Sequence, residues 1–160
     1  MSPRGGSLVA LAFAFVWLWV GAGALAMPWK AVALVVGATV LGFVGWRVLA
    51  RPITLGNVGR FHGRRFALAV IFEFAAAGVV GNWLVQNKLE AYLWPALGVI
   101  VALHFIGLWW ASGDTKYLTL TALMLAANVV AILTGPGGPA MLAICGFGSS
   151  AALAHAVGRR

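Results

Sequence analysis

Acidic residues are nearly missing from this chain. There are three Asp and Glu among 160 residues, against eleven Lys and Arg, and charged residues make up only 9%. A soluble domain usually carries about 25% charged residues. A water-soluble globule needs a charged shell, so an ordinary soluble enzyme or nucleic-acid-binding domain is excluded. Cysteine is equally scarce. The lone Cys145 permits no intramolecular disulfide and no metal site built on a cysteine cluster. Known catalytic patterns are missing as well: there is no HExxH, no GxSxG and no Walker loop. No nucleophile–base pair is evident, so the chain does not read as an enzyme.

What is present is apolar. Hydrophobic residues make up 62% of the chain, and the mean hydropathy is +0.98. The expected solvent is the bilayer, whose hydrocarbon takes about 20 apolar residues per helical crossing. Six such segments can be read: Ser7–Ala26, Ala31–Ala50, Phe66–Gln86, Tyr92–Ser112, Tyr117–Leu133 and Ala140–Gly158. They use most of residues 1–160, so the expected architecture is an all-α integral membrane protein, one compact bundle of six transmembrane helices. Long runs without strict alternation argue against a barrel.

The breaks are chemically sensible. Pro28 stands beside Trp29 and Lys30, and the stretch Arg51–Arg65 holds Pro52, glycines and arginines. Residues 134–139, Thr-Gly-Pro-Gly-Gly-Pro, cannot continue a helix. The first segment has some marks of a signal peptide: Arg4 precedes it, and Ala24-Leu25-Ala26 looks like a cleavage site. Its apolar run is too long for one, so it reads as an uncleaved helix. Cleavage would leave five spans in the same orientation.

Nine of the eleven cations fall on one side of the six spans, and only Lys30 and Lys88 fall on the other. The positive-inside rule then puts both termini in the cytoplasm, with the bacterial inner membrane as the expected location. Topology and anionic lipid already account for the net charge of +8, so no nucleic-acid partner is expected. Arg60, Arg64 and Arg65 are candidate ligands for a lipid headgroup. Trp17 and Trp19 fall near mid-membrane in this register and are expected to pack against other helices.

Ionisable groups within the spans are the informative residues, because they are costly there. Glu73 is the sole acid inside a span, about 10 Å from the cytoplasmic edge at 1.5 Å per residue. His104 lies about 12 Å deep in the next segment, which runs antiparallel. The two should meet and share a proton. Tyr117, Thr121, Met124 and Asn128 form a stripe on the fifth segment, and Asn128 offers both a donor and an acceptor. Asn82 and Gln86, on a line with Gly78, are half a turn out of phase with Glu73, which suits an outer-leaflet contact or vestibule. His155 is placed to snorkel to the inner interface or to cap the last helix. With His62, His104 and His155 at different depths, no metal or other cofactor is expected. Gly37, Gly42, Gly45, Gly81 and Gly146 are expected to let helices approach closely.

The stretch from Glu73 to about Leu133 resembles a group of uncharacterised small bacterial multi-pass membrane proteins with a Gly-x-His-Phe-x-Pro core. Here the core reads Ala102-Leu103-His104-Phe105-Ile106-Gly107, with Ala in place of the first Gly and Gly107 in place of Pro. The resemblance draws attention to Glu73, Asn82, His104 and Tyr117 and implies no activity. The expectation that follows is a small transporter or channel-like protein, proton-linked through Glu73 and His104, with Asn128, Tyr117 and Thr121 orienting a small solute. Six helices divide as three plus three, as in inverted repeats, though no repeat is visible in sequence. A homodimer is one way for so small a bundle to enclose a path. The alternative is a non-transporting accessory or a small-ligand or lipid-binding protein, with Glu73 and His104 satisfied internally. A lipid-modifying enzyme that binds phosphate through the arginines ranks last.

Overall fold

The structure, a computed structural model, describes residues 3–50 and 62–158, with side chains from residue 7 onward. Arg51, Arg60, Arg159 and Arg160 lie outside the described residues. Six helices follow in order: α1 (Pro3–Ala22), α2 (Trp29–Ala50), α3 (Gly63–Gln86), α4 (Leu93–Ser112), α5 (Lys116–Leu133) and α6 (Pro139–Gly158). A single 3-10 turn, Glu90–Tyr92, leads into α4. Five of the helices, α2 to α6, are long and apolar enough to cross a membrane. The described part of α1, Ser7–Ala22, is a shorter apolar helix.

Helices are the form this composition dictates, because hydrocarbon supplies no partner for a loose backbone group. Their ends follow local chemistry. Gly113 closes α4 in the left-handed conformation at φ 73°, and its N–H donates to the Trp109 carbonyl. Between α5 and α6, Gly135 and Gly137 also take positive φ and reverse the chain. The end of α1 differs from the sequence reading by four residues. After Gly21 and Gly23 the backbone tightens, with Ala24 N–H donating to Gly21 O and Leu25 N–H to Ala22 O. Paired glycines weaken the helix, and i→i+3 bonds finish its last turn. This shift moves Trp19 toward the helix end. It is 56% exposed and carries the Lys30 ammonium 5.6 Å from its ring centroid, so it does not pack inside as expected. Trp17 is buried and meets Trp94 edge-on at 6.2 Å.

The helices pack as a row folded on itself. The most extensive contact joins α1 to α6, and α6 continues to α5, α5 to α4 and α4 to α3, while α2 flanks α1 and α6. The centre is α6, with 44% of its apolar window buried, and the flanks are α2 at 11% and α3 at 6%. The α1–α6 crossing depends on two glycines. A Cβ on Gly146 would run into the backbone of Gly21, and one on Gly21 would meet Phe147 N at 2.8 Å. Of the glycines expected to allow close approach, Gly37 sits against Leu18 and Gly146 on α1, whereas Gly42 faces open space. The three-plus-three division does not hold. In the second half α5 packs on both α4 and α6, while α2 and α3 share no comparable contact.

The core is filled. Ala14, Ala102, Met124, Asn128, Ala131, Met141 and Cys145 have no exposure at all, and Leu153 and Val157 have almost none. Among the described residues no buried side-chain nitrogen or oxygen lacks a hydrogen-bond partner.

Candidate functional site

Glu73 and His104 come together where α3 meets α4. Because α3 begins at Gly63, three residues before the expected start, Glu73 lies about 15 Å along the helix from its first residue. His104 is eight residues from the end of α4, about 12 Å. His104 Nδ1 is 3.3 Å from Glu73 Oε2 and 3.2 Å from the Ala69 carbonyl oxygen. A carbonyl oxygen only accepts, so the proton of the neutral imidazole sits on Nδ1 and is donated to Ala69, with the Glu73 carboxyl beside it. Side-chain exposure is 10% for His104 and 20% for Glu73, so the carboxyl keeps an open edge at the rim of the bundle.

Why these helices approach so closely is visible one turn further on. A Cβ on Gly107 would collide with that of Ala69, so the absent side chain lets α3 sit directly on α4. Nearer the helix ends the polar ties continue. His62 N–H donates to Ala111 O at 2.9 Å, and Arg65 Nη1–H donates to Trp110 O at 3.1 Å. The Arg65 guanidinium also lies 4.8 Å from the Trp110 ring centroid. The last carbonyls of a helix have no partner within it, and a cation is favourable there. Arg65 therefore ties the start of α3 to the end of α4 through one of its five donors. Its neighbour Arg64 is exposed.

The fifth-helix stripe does not join the pair. Asn128 faces α4 and α6 and is fully buried. Its Nδ2–H donates to Met124 O at 2.8 Å and to Ser149 Oγ at 3.0 Å, and Cys145 Sγ–H donates to its Oδ1 at 3.1 Å. On the α4 side Asn128 fills the space above Gly98, where a Cβ would overlap its carboxamide. Both amide ends are thus occupied by protein, and no solute is needed to satisfy them. Thr121 Oγ1–H donates to Tyr117 O within its own helix. Tyr117 is linked to the pair only indirectly, by stacking on Phe105 at 6.2 Å and 8°, beside His104. Asn82 and Gln86 are exposed on α3, away from the α4 contact.

Sequence reasoning missed three participants. Gly98, Ser149 and Cys145 belong to one buried polar knot with Asn128, and small residues of this kind carry no signal of such a contact in the sequence. It also missed a groove of about 380 Å³ on the outer face of α5 and α6, lined by Leu123, Ala127, Gly148, Ala151, Ala152 and His155. A smaller adjoining cavity reaches Lys116 and Thr119. Glu73 and His104 line neither. Among the described residues no group of three or more His, Cys, Asp or Glu is placed to hold a metal ion. Compared with protein-family models, with curated proteins and with solved structures, the chain matches none.

Proposed function

We propose that this chain is a non-transporting multi-pass protein of a bacterial inner membrane, an accessory or lipid-binding module with both termini in the cytoplasm. The orientation rests on the charge asymmetry, with Arg47, Arg64, Arg65 and Lys116 at one end of the helices and Lys30 and Lys88 at the other. The observation that carries the reading is the filled centre: Asn128 is locked between Gly98, Ser149 and Cys145, and Met124 and Met141 close the space around it. A transporter of small solutes needs a polar path near the midplane, and these side chains occupy it.

Glu73 and His104 then act as a latch. In lipid, apolar surface gives helices no reason to associate, so packing and hydrogen bonds do the work. With so little of α3 buried, its polar ties to α4 hold it in place. A carboxylate–imidazolium pair and a carboxyl–imidazole pair have the same net charge of zero, so the latch brings no net charge into the bundle. The competing reading is a proton-linked transporter using the same pair, and it is favoured by the open edge of the Glu73 carboxyl. Liposomes loaded with a pH-sensitive dye separate the two. The latch reading predicts no proton flux above that of empty vesicles, for wild type and Glu73→Gln alike. Flux that disappears in Glu73→Gln would overturn it.

A further inference from the structure

The groove on α5 and α6 is a feature that the latch leaves unused. Its floor is made of small residues, Ala127, Gly148 and Ala151, with Leu123 as one wall. The adjoining cavity shares Leu123, Ala152 and His155 with it, so the two form one channel along the helix pair. From Lys116 to Ala127 this channel runs about 16 Å along α5, about half of a 30 Å hydrocarbon layer. Three polar side chains collect at one end only: Lys116, Thr119 and His155. Lys116 and His155 are exposed, and the sole ion pair among the described residues is the one at Glu73 and His104. The nearest acid in sequence, Asp114, accepts the backbone N–H of Lys116 at 3.0 Å.

We propose that this channel binds one anionic phospholipid of the cytoplasmic leaflet. Its phosphate sits between the Lys116 ammonium, the Thr119 hydroxyl and a ring N–H of His155. One acyl chain lies over Ala127, Gly148 and Ala151. Basic pockets between helices on the cytoplasmic side select anionic headgroups in this way, and a length of one leaflet matches a single chain. An apolar face alone would take any lipid, and the cationic end supplies the selection. The inference deepens the lipid-binding side of the proposed function and rests on its orientation. It does not depend on the latch, which the flux assay tests separately.

The test is native mass spectrometry of the full chain released from vesicles of equal parts phosphatidylglycerol and phosphatidylcholine with identical acyl chains. Wild type should retain one phosphatidylglycerol, with about fivefold preference for each cation that contributes, as expected for about 1 kcal/mol per cation. Lys116→Gln with His155→Gln should erase the preference. Ala151→Leu, at an exposed position, should fill the groove and release the lipid while leaving both polar side chains in place. Equal retention of the two lipids by wild type would overturn the proposal. So would an undiminished preference in the double variant, which would place the headgroup on the arginines instead. If the double variant does not fold, Lys116→Gln alone reads the same selection, with about a fivefold loss expected.

Discussion

Replacing Gly98 with alanine tests the buried polar knot most directly. In a free helix the change favours folding by about 1 kcal/mol, because alanine is the better helix former. Here the new methyl would occupy the volume of the Asn128 carboxamide. The amide must turn away, and it then loses its bonds to Ser149 Oγ and Cys145 Sγ. Hydrogen bonds between membrane helices average about 0.6 kcal/mol, so two cost about 1 kcal/mol. Forcing a methyl into a packed core adds about 1–3 kcal/mol. After the helix-propensity gain, Gly98→Ala should destabilise by about 1–3 kcal/mol. Asn128→Ala alone should cost about 1–3 kcal/mol, through lost bonds and a small cavity. Together the two changes fit, since the methyl at 98 takes the space the amide leaves. The double variant should therefore be more stable than the sum of the singles by about 1–2 kcal/mol. Reversible unfolding in mixed micelles of mild detergent and dodecyl sulfate measures all four corners of the cycle. Additive single effects, or a neutral Gly98→Ala, would refute the knot.

The latch and the bundle give further tests. Glu73→Ala and His104→Ala should each loosen α3 by about 1 kcal/mol, seen as faster amide exchange over residues 63–86, while Glu73→Gln keeps an acceptor and changes it less. Gly107→Val should separate α3 from α4 outright, and a cross-link between cysteines placed on the two helices should then fail to form. Arg65→Ala should lower the melting temperature, since it removes a bond to Trp110 O and a ring contact worth about 0.5–2 kcal/mol, whereas Arg64→Ala at an exposed site should leave it unchanged. Cys145, with no exposure, should resist maleimide in the folded protein and react on unfolding.

Much of this molecule could be read directly from residue order. Helix boundaries came within a few residues because their signals are local: Gly113 with its left-handed φ, the glycine-rich turn at 134–139, and Trp29 with Lys30 at the head of α2. The miss at Ala26 has the same origin in reverse, since two spaced glycines weaken a helix without a proline to announce its end. The meeting of Glu73 with His104 was legible too, because antiparallel neighbours joined by a short loop place equal depths side by side. Asn128 was not. Its spacing with Tyr117 and Thr121 defines a helix face, but which neighbour that face meets depends on how α6 returns to the bundle. That return is set by Gly21 against Gly146, a contact between residues far apart in the chain whose identity carries no hint of the partner.

The pairing of α1 with α6 also has a consequence for how the protein is made. Helix α1 leaves the ribosome well before its main partner α6, which follows after more than a hundred further residues. At about 5–20 residues per second, α1 waits on the order of ten seconds with the Gly21 side of the helix uncovered. Throughout that interval α2 is the main packing partner of α1 already made. The insertion machinery therefore has to hold the first hairpin loosely in the membrane, and the bundle closes only when α6 slides in between α1 and α5. A chain cut short before Pro139 would leave the hairpin, α3, α4 and α5 inserted but without the helix that joins them, and quality-control proteases of the membrane would find such a product easy to recognise.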